Sequence, residues 1–226
     1  MDSFILRDVL NKQVSPAGLL ELEKAARLEK LPIIPKETVR FLSVLLAMVK
    51  PSRILEIGCC VGFSAGLMSG YLQEGGHIVT IDRYPYMIEK AKENFQKLGI
   101  SDKVTLLEGN AADILPTLDD SFDFVFIDAA KAHYSEFLRE GLRLTKKGGV
   151  LAFDDVWQKG NVFQDRFSVK RRDRTIHSRM RKFLWQINST EGLETSILPI
   201  GDGLAVCVKT FDEIVIREDC PYDELA

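Results

Sequence analysis

The 226-residue sequence is poor in cysteine and lacks long apolar runs. Its cysteines show neither CxxC nor Cys/His spacing, so free thiols are expected rather than a zinc site or a disulfide framework. They are Cys59, Cys60, Cys207 and Cys220. No uncharged apolar run of about eighteen residues could span a membrane, and no basic segment with an apolar core opens the chain. We therefore expect a cytoplasmic protein without membrane contact.

Charge is distributed unevenly along the chain. The formal net charge is −3, yet residues 166–182 carry eight Lys or Arg against Asp173 alone. This segment is therefore +7 and the remainder of the chain is −10. A local basic patch on an acidic protein indicates a charged partner in a way that the net charge does not.

The first fifty residues have helical periodicity and predict an N-terminal helical cap, 1–50. Two apolar stripes precede a third helix, Lys36–Val49, which begins after Pro35 and ends before Pro51. The stripes are Phe4, Ile5, Val9 and Leu10, then Leu19, Leu20, Leu22, Ala26 and Leu28.

From Arg53 onward, short apolar runs alternate with amphipathic stretches. The predicted strands are Arg53–Ile57, His77–Ile81, Val104–Leu107, Phe122–Ile127 and Gly149–Phe153, with helical patterns near 63–73, 85–98 and 132–145. Runs that are apolar on both faces predict a parallel sheet covered by helices, and therefore an α/β doubly wound fold. Ligands of such sheets bind at the carboxyl ends of the strands.

A longer helix, 168–189, is predicted before two more apolar runs, Thr195–Ile200 and Leu204–Lys209. At 100° per residue its apolar side chains share one arc, so the helix can pack while its cations face outward. Gly201-Asp202-Gly203 is a tight-turn signal that predicts a hairpin with an antiparallel C-terminal strand. We predict one domain, 1–211, followed by an acidic tail, 212–226.

A glycine turn follows the first predicted strand. Gly58 and Gly62 allow the backbone to approach a ligand, and their Gly-x-x-x-Gly spacing differs from the dinucleotide fingerprint GxGxxG. Glu56, at the strand end, suits a cationic amino-acid group better than a diphosphate. Asp82 ends the next strand and can accept hydrogen bonds from both ribose hydroxyls. The loop 109–113 would then reach an adenine.

Three acids follow two later strands. Asp128 ends the fourth predicted strand, and Asp154 and Asp155 end the fifth. Neighbouring parallel strands would bring these carboxylates together, where they would repel one another without a cation. Carboxylate oxygens with room for water favour Mg²⁺, with Mn²⁺ or Ca²⁺ as substitutes.

These motifs together resemble class I methyltransferases, and specifically the metal-dependent O-methyltransferases of catechol and caffeoyl-CoA type. The resemblance covers residues 36–209 and rests on Leu55-Glu56-Ile57-Gly58, Gly62-Phe63-Ser64, Ile81-Asp82, Phe126-Ile127-Asp128-Ala129-Ala130-Lys131 and Phe153-Asp154-Asp155. It implies a seven-stranded Rossmann-like sheet, S-adenosylmethionine as cofactor and a homodimer. The resemblance further implies that the glycine turn contacts this cofactor. It implies the same for Glu56, Ser64, Asp82, Ala111 and Asp128.

The family usually has Asp-Asn where this chain has Asp154-Asp155. We hypothesise that Asp155 is a direct metal ligand, which would make the site more negative. The resemblance also places Lys131 on the family's catalytic lysine. A lysine beside a divalent cation loses its proton more readily, so Lys131 is expected to take the proton of an acceptor hydroxyl. The metal would bind that acceptor through two vicinal oxygens.

The basic segment suggests the acceptor. Arg171-Arg172-Asp173-Arg174-Thr175-Ile176 and Gly201-Asp202-Gly203-Leu204-Ala205 resemble the bacterial branch that methylates 5-hydroxyuridine at the wobble position of tRNA. Arg171, Arg172 and Arg174 would then bind the phosphates of the anticodon loop.

The alternative acceptor is a small catechol-like or phenolic molecule, with the basic helix solvated or used in dimer contacts. An RNA-binding module without catalysis would leave Lys131 and the acids without a role, and the glycine spacing disfavours a nicotinamide oxidoreductase. Trp157 and Phe163 follow the acids, and they either stack on a flat acceptor or simply pack in a loop.

Overall fold

The structure of the protein is a computed structural model, and it describes residues 16–221. Within them the seven strands are β1 (Arg53–Ile57), β2 (His77–Asp82), β3 (Val104–Glu108), β4 (Phe122–Ile127), β5 (Thr145–Phe153), β6 (Leu193–Leu198) and β7 (Leu204–Lys209). The α-helices are α1 (Leu19–Leu28), α2 (Lys36–Val49), α3 (Phe63–Ser69), α4 (Pro85–Leu98), α5 (Ala111–Ile114), α6 (Tyr134–Leu144) and α7 (Arg174–Ser189).

The strands of the described region form one seven-stranded sheet in the order β3-β2-β1-β4-β5-β7-β6. Strand β1 pairs with β2, β2 with β3, and β4 with β5 in parallel. Strand β7 is antiparallel to both β5 and β6. The predicted doubly wound, mostly parallel sheet with an antiparallel C-terminal strand is therefore confirmed.

The central strands are buried along nearly their whole length, as runs that are apolar on both faces require. In β4 the rings of Phe122, Phe124 and Phe126 are all fully buried. Burying each such side chain contributes about 1.5–3 kcal/mol relative to leaving it exposed. Among residues 16–221, no helix combines the length and the apolar character needed to cross a bilayer.

The chain forms two compact units that divide between Ile114 and Leu115. In the first unit, α1 buries Leu19 and Ala26 on one face. Leu28 was expected on this face, but it is 85% exposed because it lies about 200° around the helix from Ala26. The earlier stripe, Phe4 to Leu10, lies outside the described residues.

In the second unit an aromatic cluster joins β5, α6 and α7. The rings of Tyr134, Phe153 and Phe183 are buried, and their centroids lie 4.8 to 5.8 Å apart. The Tyr134 hydroxyl donates a hydrogen bond to the carbonyl of Asp154 at 2.8 Å. This bond satisfies a buried hydroxyl and fixes the backbone just beyond the end of β5.

Helix α7 begins at Arg174, and not at residue 168 as predicted. Arg174 donates from Nε to the carbonyl of Val169 and from Nη2 to the carbonyl of Phe167, both at 3.1 Å. These bonds hold residues 167–169 against the first turn of the helix, while Lys170 is extended, with ψ of 137°, and residues 171–173 form a 3-10 turn that leads into α7. The predicted apolar face is confirmed, since Met180 and Ile187 are fully buried.

Other boundaries moved by a few residues for local reasons. Strand β6 runs from Leu193 to Leu198 rather than from Thr195 to Ile200, because the N–H of Ile200 already turns back to the carbonyl of Leu198 at 2.9 Å. Helix α3 ends at Ser69 rather than near residue 73, because Gly70 provides its C-cap.

Residues 212–221 run along α6 and α7. Glu218 accepts hydrogen bonds from Arg139 at 3.0 Å and from Gln186 at 3.2 Å. The Arg217 guanidinium lies 5.2 Å from the centre of the Trp185 ring. The predicted acidic tail thus contacts the second unit as far as it is described, and its last residues lie outside the described part of the chain.

The loop that follows β5, residues 155–164, is called the β5 loop below. It is held by the turn between β6 and β7. The carbonyl of Asp202 accepts the N–H of Trp157 at 2.9 Å, and the Asp202 carboxylate accepts the N–H of Lys159 at 2.6 Å. The Gly-Asp-Gly signal, interpreted from sequence only as a hairpin turn, therefore also organises a second loop.

The β5 loop stores backbone strain. Asp155, Gln158 and Lys159 have φ values of 58°, 51° and 55°, a left-handed conformation that costs energy for residues with a Cβ. The Trp157 ring lies against Gly203, where a Cβ atom would come within 2.5 Å of the indole. The neighbouring turn must therefore keep a glycine at position 203 for the loop to hold this shape.

We expect Gly203→Ala to destabilise the protein by about 2–4 kcal/mol, because it adds a clash with Trp157 to a positive-φ strain. Gly148→Ala is the matched control, since Gly148 has a similar φ of 80° but open space at its Cβ position. Urea unfolding followed by tryptophan fluorescence measures both. Equal losses in the two variants would show that the Trp157 contact contributes nothing.

Candidate active site

The glycine turn between β1 and α3 has the conformation that its sequence predicts. Gly58 and Gly62 have φ values of 102° and 80°. A Cβ at Gly62 would lie 2.5 Å from the ring of Phe95, so both the conformation and the space require glycine there. The N–H of Gly58 donates to the carbonyl of Ile81 at 3.0 Å, which draws the turn toward the end of β2.

Glu56 and Ser64 are brought together at this turn. Glu56 is completely buried, and its carboxylate accepts hydrogen bonds from the hydroxyls of Ser64 and Thr80. Sequence analysis missed Thr80, although the parallel register that pairs Glu56 with Thr80 is the signal that could have found it. The two hydroxyls stabilise a buried carboxylate at the end of β1.

Asp82 ends β2 and holds the neighbouring loops in place. One carboxylate oxygen accepts the N–H of Cys60 at 2.7 Å and the other accepts the N–H of Tyr84 at 3.0 Å. The carbonyl of Asp82 accepts the N–H of Gly109 at 2.8 Å. Ala111, at the start of α5, is buried. The structure therefore builds the three predicted ligand loops of the first unit around one acid.

The predicted acid cluster lies in the second unit, at the ends of β4 and β5. The register pairs Ile127 with Phe153, and the N–H of Asp154 donates to the carbonyl of Ile127 at 3.0 Å. Asp128 and Asp154 therefore follow adjacent strand ends, as predicted. Asp154 is 2% exposed.

The acids disturb one another's protonation. Burial, reinforced by the charges of Asp128 and Asp155, raises the pKa of Asp154 to about 8. Burial also raises the pKa of Asp128 to about 6, with Asp155 adding to the shift and Lys131 opposing it. Burial is the larger cause of both shifts, and the like charges of neighbouring carboxylates add to it.

Asp154 also has an oxygen without a partner. Its Oδ1 is buried and accepts no hydrogen bond from the protein. An unsatisfied carboxylate oxygen beside two further acids is the chemistry that a hard divalent cation completes. Among residues 16–221, however, no three His, Cys, Asp or Glu side chains converge as a formed metal-binding group.

Lys131 lies at the acid cluster, as expected. Its Nζ is 2.9 Å from Oδ2 of Asp155, and both side chains are partly exposed. The expectation for Asp155 considered only metal ligation, whereas the structure gives this carboxylate a lysine partner. An Asn at position 155 could accept a hydrogen bond from the same amine but would carry no charge opposite to that of the ammonium.

Two further residues of the second unit belong to this site, and sequence analysis did not assign them a role. Tyr134 positions Asp154 through its backbone carbonyl, and burial raises the pKa of Tyr134 so that it remains a phenol. Burial and the charge of Asp155 also raise the pKa of Asp202. The spacing of Tyr134 from Lys131 carries no signal of this contact, which depends on the packing of α6.

The arginines of the basic segment divide into two kinds. Arg171 and Arg172 are exposed, and Arg172 has only a 3.7 Å contact with Asp173. Arg174 is half-buried and holds the backbone at Val169, as described above. The three predicted RNA-binding residues are therefore not equivalent, because Arg174 already supports the local structure.

Comparison with known proteins identifies the family. The sequence profile described as "O-methyltransferase" matches residues 15–210. The chain is 31% identical over 166 residues to a catechol O-methyltransferase of Mycobacterium tuberculosis, covering 73% of this chain and 75% of that protein. It is 31% identical over 180 residues to a caffeoyl-CoA O-methyltransferase of Populus kitakamiensis, covering 77% of each.

Solved structures agree with the sequence comparisons. An O-methyltransferase from Bacillus cereus in complex with SAH superposes with a TM-score of 0.79 at 25% identity, covering 92% of this chain and 96% of that one. The SAH-bound methyltransferase PaMTH1 of Podospora anserina gives a TM-score of 0.77 at 27% identity, covering 88% and 90%. The chain thus belongs to the S-adenosylmethionine-dependent class I O-methyltransferases of caffeoyl-CoA and catechol type.

Proposed function

We propose that this enzyme methylates a hydroxyl group with the help of a divalent cation, and that its acceptor is 5-hydroxyuridine at the wobble position of tRNA. The observation that carries the first part is the unpartnered Oδ1 of Asp154 beside Asp128 and Asp155. The second part is supported by the exposed Arg171 and Arg172.

Asp128, Asp154 and Asp155 would hold the cation. Their oxygen donors suit Mg²⁺, and Mn²⁺ or Ca²⁺ could substitute for it. When bound, a divalent cation supplies a Lewis acid that stabilises the acceptor oxygen as it loses its proton. Its charge would also favour the ionised forms of Asp128 and Asp154, whose pKa values are raised by burial and by neighbouring carboxylates.

Lys131 would act as the base. In its neutral form, Nζ accepts the proton of the acceptor hydroxyl and becomes an ammonium. Asp155, 2.9 Å away in the structure, stabilises that ammonium and fixes the position of Nζ. The Asp155 of this chain thus has a proposed role toward the base as well as toward the cation.

The first unit would hold S-adenosylmethionine, which supplies the methyl group. Glu56 would face its amino-acid end, and Asp82 would accept hydrogen bonds from its ribose. Gly58, Gly62 and Ser64 would line the same ligand, and Ala111 its adenine. Asp128 would contribute from the end of β4. The existing bonds of Glu56 and Asp82 to the protein keep both carboxylates oriented before the ligand arrives.

5-Hydroxyuridine fits this chemistry because it carries O4 and a 5-hydroxyl on neighbouring carbons, as a catechol carries two oxygens. Exposed arginines beside the β5 loop would bind the phosphates that flank the base. The chemistry at the acids is thus common to both acceptors, and only the basic segment favours RNA.

A small catechol-like or phenolic acceptor is the second candidate. It is favoured by the relatives, which are named for catechol and caffeoyl-CoA. In that case, Arg171 and Arg172 would have no part in turnover. The two candidates therefore differ in what the basic segment does, and not in the methyl transfer.

We expect Mg²⁺ to stabilise the protein, and to do so more at pH 8 than at pH 6. Without metal, Asp154 and Asp128 keep their protons to about pH 8 and 6, whereas the unfolded chain releases them near 3.8. The free energy of unfolding must therefore fall as pH rises through this window. Because the cation competes with protons for the carboxylates, its affinity rises over the same range. Thermal unfolding in EDTA and in excess Mg²⁺ measures this.

Asp154→Asn is the control for that experiment. It should flatten the pH dependence in EDTA and lose the Mg²⁺ stabilisation. A Mg²⁺ effect that is equal at both pH values, or that Asp154→Asn retains, would contradict the proposed ligand role. Full methyl transfer in excess EDTA would exclude a catalytic cation altogether.

Lys131→Met should reduce turnover about 10²- to 10⁴-fold, which is the usual contribution of a general base. Its affinity for S-adenosylmethionine, measured by calorimetry, should not change. Lys159→Met, an exposed lysine of the β5 loop, is the matched control and should keep wild-type turnover. Comparable activity in the two variants would remove Lys131 from the mechanism.

Arg171→Ala/Arg172→Ala should lower kcat/KM for tRNA and reduce the salt slope of tRNA binding by about 1.5, from two lost phosphate contacts. Turnover of a catechol acceptor should not change. Lys146→Ala/Lys147→Ala removes the same charge elsewhere on the surface and should affect neither substrate. Nucleoside mass spectrometry follows 5-methoxyuridine. Methylation of the catechol but not of tRNA would favour the second candidate.

A further inference from the structure

Two phenylalanines of the second unit are exposed beside the basic segment. Phe163 is 68% exposed and Phe167 is 78% exposed. Lys170, Arg171 and Arg172 are exposed as well, so residues 163–172 present two rings and three cations to solvent, and these five side chains are called the aromatic-cationic surface below. Exposed rings of this size carry a hydration cost, which a binding partner would relieve.

The ring of Phe163 is held in position by the β5 loop. It contacts the ring of Trp157 edge-on, with 5.2 Å between the ring centroids. The Trp157 ring in turn lies against Gly203, and the backbone N–H of Trp157 donates to the carbonyl of Asp202. The exposed ring therefore projects from a loop that is hydrogen-bonded and strained, which reduces the entropy lost when a ligand binds.

The ring of Phe167 is held in a different way. Its N–H donates to the Asp165 carboxylate at 2.8 Å, and its carbonyl accepts from Arg174 at 3.1 Å. The Arg174 guanidinium lies 5.7 Å from the centre of the ring, within cation–π distance. Phe167 is thus oriented by Arg174 while most of its surface remains open to a partner.

Rigid exposed rings among cations match the chemistry of an unpaired nucleic-acid strand. Bases stack on aromatic faces, and Lys or Arg contact the phosphates between them. A double helix offers its phosphates but not the faces of its bases. We infer that the aromatic-cationic surface binds unpaired RNA next to the acceptor, with Phe163 and Phe167 stacking on bases.

This inference rests on the proposed RNA acceptor and adds a selection for unpaired bases. An anionic membrane would also attract cations and exposed rings. It is disfavoured because Gln164, Asp165 and Arg166 separate the two rings, and because the apolar face of α7 is buried against the protein. No continuous apolar face is therefore offered to lipid by this segment.

The test compares a dye-labelled RNA hairpin that has an unpaired loop with a fully paired RNA duplex of equal charge. Phe163→Ala/Phe167→Ala should weaken hairpin binding at least about tenfold, the loss expected for stacked bases, and should leave duplex binding unchanged. Phe163→Tyr/Phe167→Tyr keeps the rings and should restore the affinity. Tyr86→Ala, another exposed aromatic near a lysine, is the matched control and should have no effect.

Each alternative outcome has a distinct meaning. Equal hairpin affinity in the alanine and wild-type proteins would overturn the stacking surface, while tRNA methylation by both would leave the proposed function standing. A wild-type protein that binds neither RNA but methylates a catechol would overturn both proposals. Phenylalanine-dependent binding to phosphatidylserine vesicles, without hairpin binding, would assign the surface to a membrane instead.

Discussion

The second unit depends on a hydrogen bond from a buried phenol to a backbone carbonyl. Tyr134 donates to the carbonyl of Asp154, and its ring packs edge-on against Phe183 of α7. Because burial keeps the phenol protonated, this donor persists over the ordinary pH range. The end of β5, the start of α6 and the inner face of α7 are thereby fixed to one another, and the acids at the strand ends inherit their positions from this contact.

Around that contact the protein separates charges of opposite sign. The acids at the ends of β4 and β5 are partly or fully buried and repel one another, which destabilises the fold where chemistry is proposed. The guanidinium groups of Arg171 and Arg172 remain at the surface, where they keep their hydration and little desolvation cost arises. A cluster of acids served by one lysine and a surface rich in cations are therefore built by one compact unit.

Sequence patterns predicted most of the fold because its strands are continuous apolar runs. Strands β1, β4 and β7 have the predicted bounds, and helix α4 does as well. The start of α7 was wrong because the bonds of Arg174 to the preceding backbone are a property of one rotamer, which helical periodicity cannot reveal. Leu28 was wrong because a stripe of five apolar residues is wider than the face that α1 buries.

Sequence patterns could predict which residues belong to the candidate site, but not which of them contact one another. Strand ends that meet at one sheet edge are a consequence of parallel topology, so Asp128 and Asp154 could be grouped from sequence. The pairing of Lys131 with Asp155, and the capping of the β5 loop by Asp202, each join residues more than twenty positions apart. Such contacts depend on loop conformations that no local pattern specifies.

The attachment of the β5 loop to Asp202 has an evolutionary consequence. The acids are anchored through β4, β5 and Tyr134, whereas the loop beyond them takes its shape from a hairpin encoded some forty residues later. The loop beyond Asp155 can therefore vary while Asp128 and Asp154 keep their supports. Because the hairpin binds the backbone of Trp157 and Lys159 through Asp202, substitutions in the loop and in the hairpin are expected to occur together in related sequences.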